Sequence, residues 1–497
     1  MSELVLGVDV GTLSTKGVLV RAADGTVVAS AVREHPMSTP RPGWAEHDAE
    51  AVWWGEFVQI ARELADRAAP DRIAAAGVSG IGPCLLPCDA EGAALRPAIL
   101  YGVDTRAEAE IAELTERYGE DEIRMRCGSV LTSQAVGPKL LWLRNNEPET
   151  WRRTASVHMA NSLLTHRLTG AYVLDHHSAS QSTPLYDPVK HEWIPEWASD
   201  IAPGLTLPDL AWPGEVVGTV TSTAAGTTGL PAGIPVVAGT VDAWAESVSA
   251  GVKRPGDVMV MYGTTMFLID VVDQPRTWPT LWGTVGALPN TYNLAAGMAT
   301  SGAVTDWIRR LTGADFESLV EEARAAGPGA EGLLMLPYFA GERTPLFDPD
   351  ARGVVAGLTL RHERGHLYRA ALEATAFGVR HNLEAMAAAS GRLDRLIAVG
   401  GGTKGGLWTR IVSDVLQRPQ QLPRTTVGAA YGDAVLAATG SGLVPEDETE
   451  GWNPIDKVIE PDPAAADTYE RLYGLYRDLY PATSNLAHAL AALQHHK

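Results

Sequence analysis

Twice in this chain, about half its length apart, an apolar strand runs into a Gly-Thr turn and resumes as a second strand. Residues 4–10 reach Gly11-Thr12 and continue over 15–21; residues 258–262 reach Gly263-Thr264-Thr265 and continue over 266–272. After the first pair, Asp24-Gly25 signals a turn into a third strand over 27–33. A chain of 497 residues is too long for one ordinary core. A repeated meander therefore predicts two α/β units of one architecture, although the residues of the two copies barely match. Neither GxxxxGK[ST] nor GxGxxG occurs in the first meander, which argues against a P-loop or a Rossmann unit.

Periodicity predicts helices over 50–69, 105–118, 138–146, 159–168, 303–312, 315–326, 365–389, 406–416, 428–440 and near 465–495. Strands are expected over 73–79 and 98–101. The run 251–257, Gly-Val-Lys-Arg-Pro-Gly-Asp, reads as the boundary, giving domains 1–252 and 253–497.

The formal net charge of −20 argues against nucleic acid and against anionic membrane surfaces as partners. It leaves room for an anionic ligand, because backbone N–H groups and a lysine can hold phosphate locally. No apolar run approaches the length of a membrane span. Three cysteines, Cys84, Cys88 and Cys127, without a second ligand pair, fit reduced thiols rather than a zinc site. The start MSELVLGVDVG has no leader pattern, so the expected location is the cytoplasm.

Asp242 stands at a strand-to-helix junction, after Gly239-Thr240 and before a small-residue helical pattern. Two readings stand for it. It is a helix N-cap, or it is a general base taking a proton from a hydroxyl that attacks a phosphoryl group. The helix N-terminus is expected to lower its pKa and keep it ionised. In the first turn, Gly11 lets the backbone approach a phosphate, while Thr12, Ser14 and Lys16 donate to it. Asp9 would orient a hydrated Mg²⁺. The bland alternative is a polar hairpin turn, and Gly263-Thr264-Thr265 alone is also an ordinary turn. The run from Val399 through Gly400, Gly401, Gly402 and Thr403 to Lys404 follows an apolar strand and allows close contact with a flat ligand. Trp44, Trp53 and Trp54 suggest a sugar-facing loop or plain surface packing. Asp104 and Arg106 read as an exposed ion pair. His176, His177, His495 and His496 read as surface histidines, with no metal-ligand partners at useful spacing.

Residues 353–373, GVVAGLTLRHERGHLYRAALE, resemble the C-terminal signature of the FGGY family of carbohydrate kinases. Gly341 to Pro345 (GERTP), Pro138 to Trp142 (PKLLW) and Pro42 to Asp48 (PGWAEHD) are similar to that family too. The resemblance covers nearly the whole chain and is greatest to bacterial xylulokinases. It implies two actin-like (ribonuclease H-like) domains around an ATP and sugar cleft, with Mg²⁺, and Asp242 as catalytic base. It assigns Asp9, Gly11, Thr12, Ser14 and Lys16 to the first phosphate motif. Gly263, Thr264, Gly302, Asp306, Gly401, Gly402 and Thr403 become nucleotide contacts. Trp44, Gly82, Pro83 and Asp104 join Asp242 on the sugar side. A homodimer is the assembly considered. One departure stands out: where such xylulokinases have a Gln-Met-His-Gly run, this chain has Ile81-Gly82-Pro83-Cys84. Glycine and proline side chains cannot supply an imidazole's hydrogen bonds. The expectation is an ATP-dependent kinase for a ketopentose such as D-xylulose. The alternatives are ribulose, L-xylulose, xylitol or erythritol as acceptor, or a non-catalytic ATP-dependent switch.

Overall fold

The computed structural model describes residues 2–495. Two mixed sheets organise it. In the first, β1 (Glu3–Val10) pairs antiparallel with β2 (Ser14–Arg21), and β2 with β3 (Val27–Glu34). On its other side β1 runs parallel to β4 (Arg72–Gly80). The sheet ends in β5 (Val216–Thr219) and β6 (Pro235–Val237); β6 is parallel to β4 and antiparallel to β5. In the second sheet β7 (Asp257–Tyr262) pairs antiparallel with β8 (Met266–Val272). An edge strand β9 (Trp282–Val285) flanks β10 (Tyr292–Met298), which pairs with β8. On the far side β7 is parallel to β11 (Arg395–Val399), β11 to β12 (Gln420–Pro423), and β13 (Ile455–Ile459) closes antiparallel. The duplication foreseen from two meanders thus extends to five strands in the same order and sense; the antiparallel edge strand beyond them precedes its neighbour in the chain in the first sheet and follows it in the second. These are two actin-like units.

The central strands are buried on both faces, as Val5, Leu6 and Val8 show at 0% exposure. Phe57, Ile60 and Leu64 of the helix Glu56–Ala68 cover one face of the first sheet. The other face is covered by the helix Ala429–Gly440, from the far end of the chain. It lies directly on the strands: a Cβ on Gly7 or Gly77 would overlap the carbonyl oxygens of Ala430 and Asp433. One apolar cluster therefore runs from Val5 and Val18 through Ala430 to Met259 and Ile397 of the second sheet. The run 251–257 marks where the chain passes between sheets, but the core is continuous across it.

The helix Arg364–Ser390 packs on the second sheet through Leu372, Phe377 and Leu383, with the helix Ala466–His495 against it. The signature residue Glu373 is buried architecture. Its carboxylate accepts from Arg369 Nε (2.7 Å), Gly329 N (2.8 Å) and Tyr469 OH (2.9 Å).

Some expectations need correction. The helix expected at 50–69 opens as a wider π-type coil, Ala49–Gly55, capped by Asp48, before Glu56–Ala68. The strand at 98–101 is only Ala98–Ile99. His176 and His177 are buried, not surface residues. His177 stacks on Trp244 at 3.6 Å with Nδ1 2.8 Å from the Val285 carbonyl, and burial pulls its pKa far down. Its helix, His176–Ser180, is buried along its whole length, which a two-histidine run cannot reveal. His495 ends the last helix and His496 lies outside the described residues. All three cysteines are free and buried. Among the described residues no helix is long and apolar enough to cross a membrane.

Candidate active site

The carboxyl ends of parallel strands meet at one point. Asp9, next to last in β1, is in register with Ser79, next to last in β4. Thr240-Val241 pairs with Ser79-Gly80, and the next residue, Asp242, begins the helix Asp242–Ser249. Glu246 follows one turn later, on the same helix face. From the second half of the chain, Asp433 reaches Ser79. The Ser79 hydroxyl lies 2.7 Å from Asp433 Oδ2 and 3.1 Å from Asp9 Oδ1. Lys16, opposite Asp9 on β2, is the nearby cation.

Burial pushes all four carboxyl groups above their ordinary range. Asp242 is raised by burial first and then by the Asp9 charge. The helix N-terminus does act on it, since Ala243 N donates to Oδ1 at 2.7 Å, but that effect is outweighed. The expected depression is thus reversed. Burial raises Glu246 to about 7, and Asp433 goes well above the usual carboxylate value. Asp433 Oδ1 is buried without a partner. Four carboxyl groups beside one lysine suit a hydrated divalent cation, which needs one or two carboxylates besides phosphate and water. Among the described residues no group of three or more His, Cys, Asp or Glu side chains is placed to hold a metal ion by itself. Asp9 with a bound phosphate and water would be enough to hold a hydrated Mg²⁺.

A cavity of about 800 Å³ opens in the second half. Gly263 and Thr264, from the turn after β7, line it with Gly302 and Asp306 of the helix Gly302–Thr312 and with Gly401 and Gly402 after β11. All six were expected there. The turn is laced to that helix start: Gly302 N donates to Gly263 O (3.0 Å) and Ser301 N to Thr264 O (3.1 Å). Thr403 is not on the wall; its hydroxyl donates to the Gly400 carbonyl at 2.8 Å and closes the local turn. Sequence reasoning missed the apolar and aromatic lining from Tyr262, Phe316, Tyr368, Leu372 and Trp408, which suits a flat base. Tyr368 and Leu372 belong to the 353–373 signature, which gives no sign that they face a ligand; Tyr262, Phe316 and Trp408 are gathered only by the fold.

A second cavity, about 240 Å³, holds Asp242. Gly82 and Pro83, expected on the sugar side, are on its wall, as is Thr12, which was expected at the phosphates, with Tyr101, Gln134 and Gln181 from the first half. Thr265, Phe267, Trp282, Thr284 and Arg343 close it from the second half. Ser14 accepts from Gly11 N through its carbonyl at 3.0 Å and so shapes the turn. Trp44 and Asp104 stand behind the wall rather than on it. Arg106 covers the Trp44 ring at 3.9 Å and pairs with Asp104 at 2.6 Å, both members of that pair fully buried. Ala45 N donates to the same Asp104 carboxylate at 2.7 Å. Trp53 is core, its indole N–H donating to His47.

Models of the N-terminal and C-terminal domains of the FGGY family of carbohydrate kinases match residues 4–249 and 258–441. The xylulose kinase of Escherichia coli (strain K12) is 30% identical over 490 residues, 96% of this chain and 98% of its own. The glycerol kinase of Nocardia farcinica (strain IFM 10152) is 31% identical over 482 residues, 91% of this chain and 93% of its own. The crystal structure of xylulose kinase from Rhodospirillum rubrum superposes with a TM-score of 0.89 at 34% identity, covering 98% of this chain and 100% of that one. With both family models matched in order over most of its length, the chain belongs to the FGGY family of carbohydrate kinases.

Proposed function

We propose that this enzyme transfers the γ-phosphoryl group of ATP to a hydroxyl of a small ketose or polyol, with D-xylulose the leading acceptor. One observation carries the reading. The turn Gly263–Thr264–Thr265 separates the two cavities: Gly263 and Thr264 line the large one, and Thr265 lines the small one that holds Asp242. A nucleotide in the large cavity would point its phosphates at an acceptor in the small one.

Asp242 accepts the proton of the attacking hydroxyl. Its raised pKa suits the task, since a base works best when its pKa lies near the working pH. The N–H groups of Gly11 and Gly263 close their own turns, so Thr12 and Thr264, with Lys16, receive the phosphoryl charge. Mg²⁺ at Asp9 would supply charge neutralisation. Residues 1–252 and 253–497 act as two domains that close on the acceptor and exclude water, which would otherwise consume ATP. The xylulose kinases among the relatives favour a pentulose. Gly82 and Pro83 on the wall, and a glycerol kinase among the relatives, keep other ketoses and polyols in play.

ATP turnover by the purified protein against D-xylulose, L-xylulose, D-ribulose, L-ribulose, xylitol, erythritol and glycerol tests the reading. Acceptor-dependent turnover with at least one of them is expected; turnover that no acceptor raises would overturn it.

A further inference from the structure

The edge strand β9 carries two polar atoms with nothing to bond. Trp282 Nε1 and Thr284 Oγ1 are both buried and without a hydrogen-bond partner. The two residues alternate along the strand, so they share a face, and both line the cavity that holds Asp242. Buried polar groups in folded proteins are almost always satisfied, so two orphans on one cavity wall call for a ligand.

The strand itself is held firmly. Gly283 N donates to the Gly128 carbonyl at 3.1 Å, and Val285 N to Ser180 Oγ at 3.3 Å. His177 Nδ1 lies 2.8 Å from the Val285 carbonyl. Gly128, Ser180 and His177 all belong to the first half, which also carries Asp242. These bonds fix the strand, and with it the two orphan groups, on the wall of the cavity that holds Asp242. Gly82 and Pro83, which line the same cavity, offer no side-chain donor.

We propose that Trp282 and Thr284 are the specificity-determining residues of the acceptor site, reading two oxygens of the sugar or polyol. This rests on the phosphotransfer reading above. An indole N–H only donates, so Trp282 takes a hydroxyl or carbonyl oxygen; the Thr284 hydroxyl both donates and accepts. The acceptor therefore carries at least two oxygen functions besides the hydroxyl that is phosphorylated. Hydrogen-bond reading moves from the 81–84 segment to β9.

The test uses the full chain. The best acceptor is found by ATP turnover, and Trp282→Phe and Thr284→Val are then compared on it and on its single deoxy analogues. Each variant should lose about tenfold or more in kcat/KM for the acceptor. KM for ATP should stay within about twofold, since neither group lines the nucleotide cavity. In each variant one deoxy position should lose its penalty, because the partner of that oxygen is gone. Unchanged kcat/KM, or an equal loss for the parent and every deoxy analogue, overturns the proposal. If no acceptor supports turnover, the phosphotransfer reading fails. Calorimetric binding of the same compounds then decides the wall separately: Trp282→Phe must weaken binding, and equal binding, or none to either protein, overturns it.

Discussion

Gly432 lies against the carbonyl group of Ala245 so closely that a Cβ on Gly432 would overlap the oxygen. The contact fastens the helix Ala429–Gly440 to the helix Asp242–Ser249, which begins with the proposed base Asp242. Gly432→Ala should cost about 1–3 kcal/mol by overpacking and should lower kcat by displacing Asp242. Gly474→Ala is the matched control: Gly474 sits in the last helix with open space around it. That change should leave the thermal midpoint level or slightly higher. Parallel melting curves and initial rates check both.

Asp242→Asn should lower kcat roughly 10²- to 10⁴-fold, the usual range for a positioned acid–base group. It should leave nucleotide binding close to the parent value, because Asp242 faces the small cavity and not the large one. Rates and titration with a non-hydrolysable ATP analogue separate the two effects.

Asp9, Asp242, Glu246 and Asp433 all have raised pKa values in the folded chain. Each contributes stability below the ordinary carboxylate pKa, and that contribution is lost as pH rises through the folded value. A divalent cation offsets the loss only where the groups have ionised. The rise in thermal midpoint on adding Mg²⁺ should therefore be larger at pH 8 than at pH 6. An equal rise at both would refute the assignment of the cation to this cluster.

A Cβ on Gly302 would lie 2.6 Å from the Gly263 carbonyl oxygen. Gly302→Ala should push the 263–264 turn away from the nucleotide and raise KM for ATP severalfold. KM for the sugar should move less. Steady-state kinetics with each substrate varied in turn give the comparison.

The fold was largely legible because its strongest signal is local. A strand, a Gly-Thr turn and a strand can be read from a dozen residues, and Asp242 stands at a junction that hydrophobic periodicity locates. The rear face of the first sheet was not legible, since its cover comes from residue 429 onward and no window of sequence links it to Gly7. The direction of the Asp242 pKa was misread for the same reason. The helix N-terminus is visible in sequence, whereas Asp9 and the burial around it come from strands far away. Trp44 and Asp104 were placed on the sugar side by motif, but the motif is kept busy by Arg106 inside the protein. Trp282 and Thr284 belong to no motif, and only their unpartnered atoms reveal them.

The close seating of the helix Ala429–Gly440 on β1 and β4 bears on how this protein could be divided. A gene cut after residue 252 would not yield two autonomous pieces. The amino-terminal fragment would keep a sheet with Gly7 and Gly77 facing bare solvent, and the carboxy-terminal fragment would carry a buried, largely apolar helix with no sheet to rest on. The two pieces would be complements, each missing part of a shared core that forms only when they meet. Such a cut makes a split reporter, in which catalysis returns only when fused partners bring the fragments together.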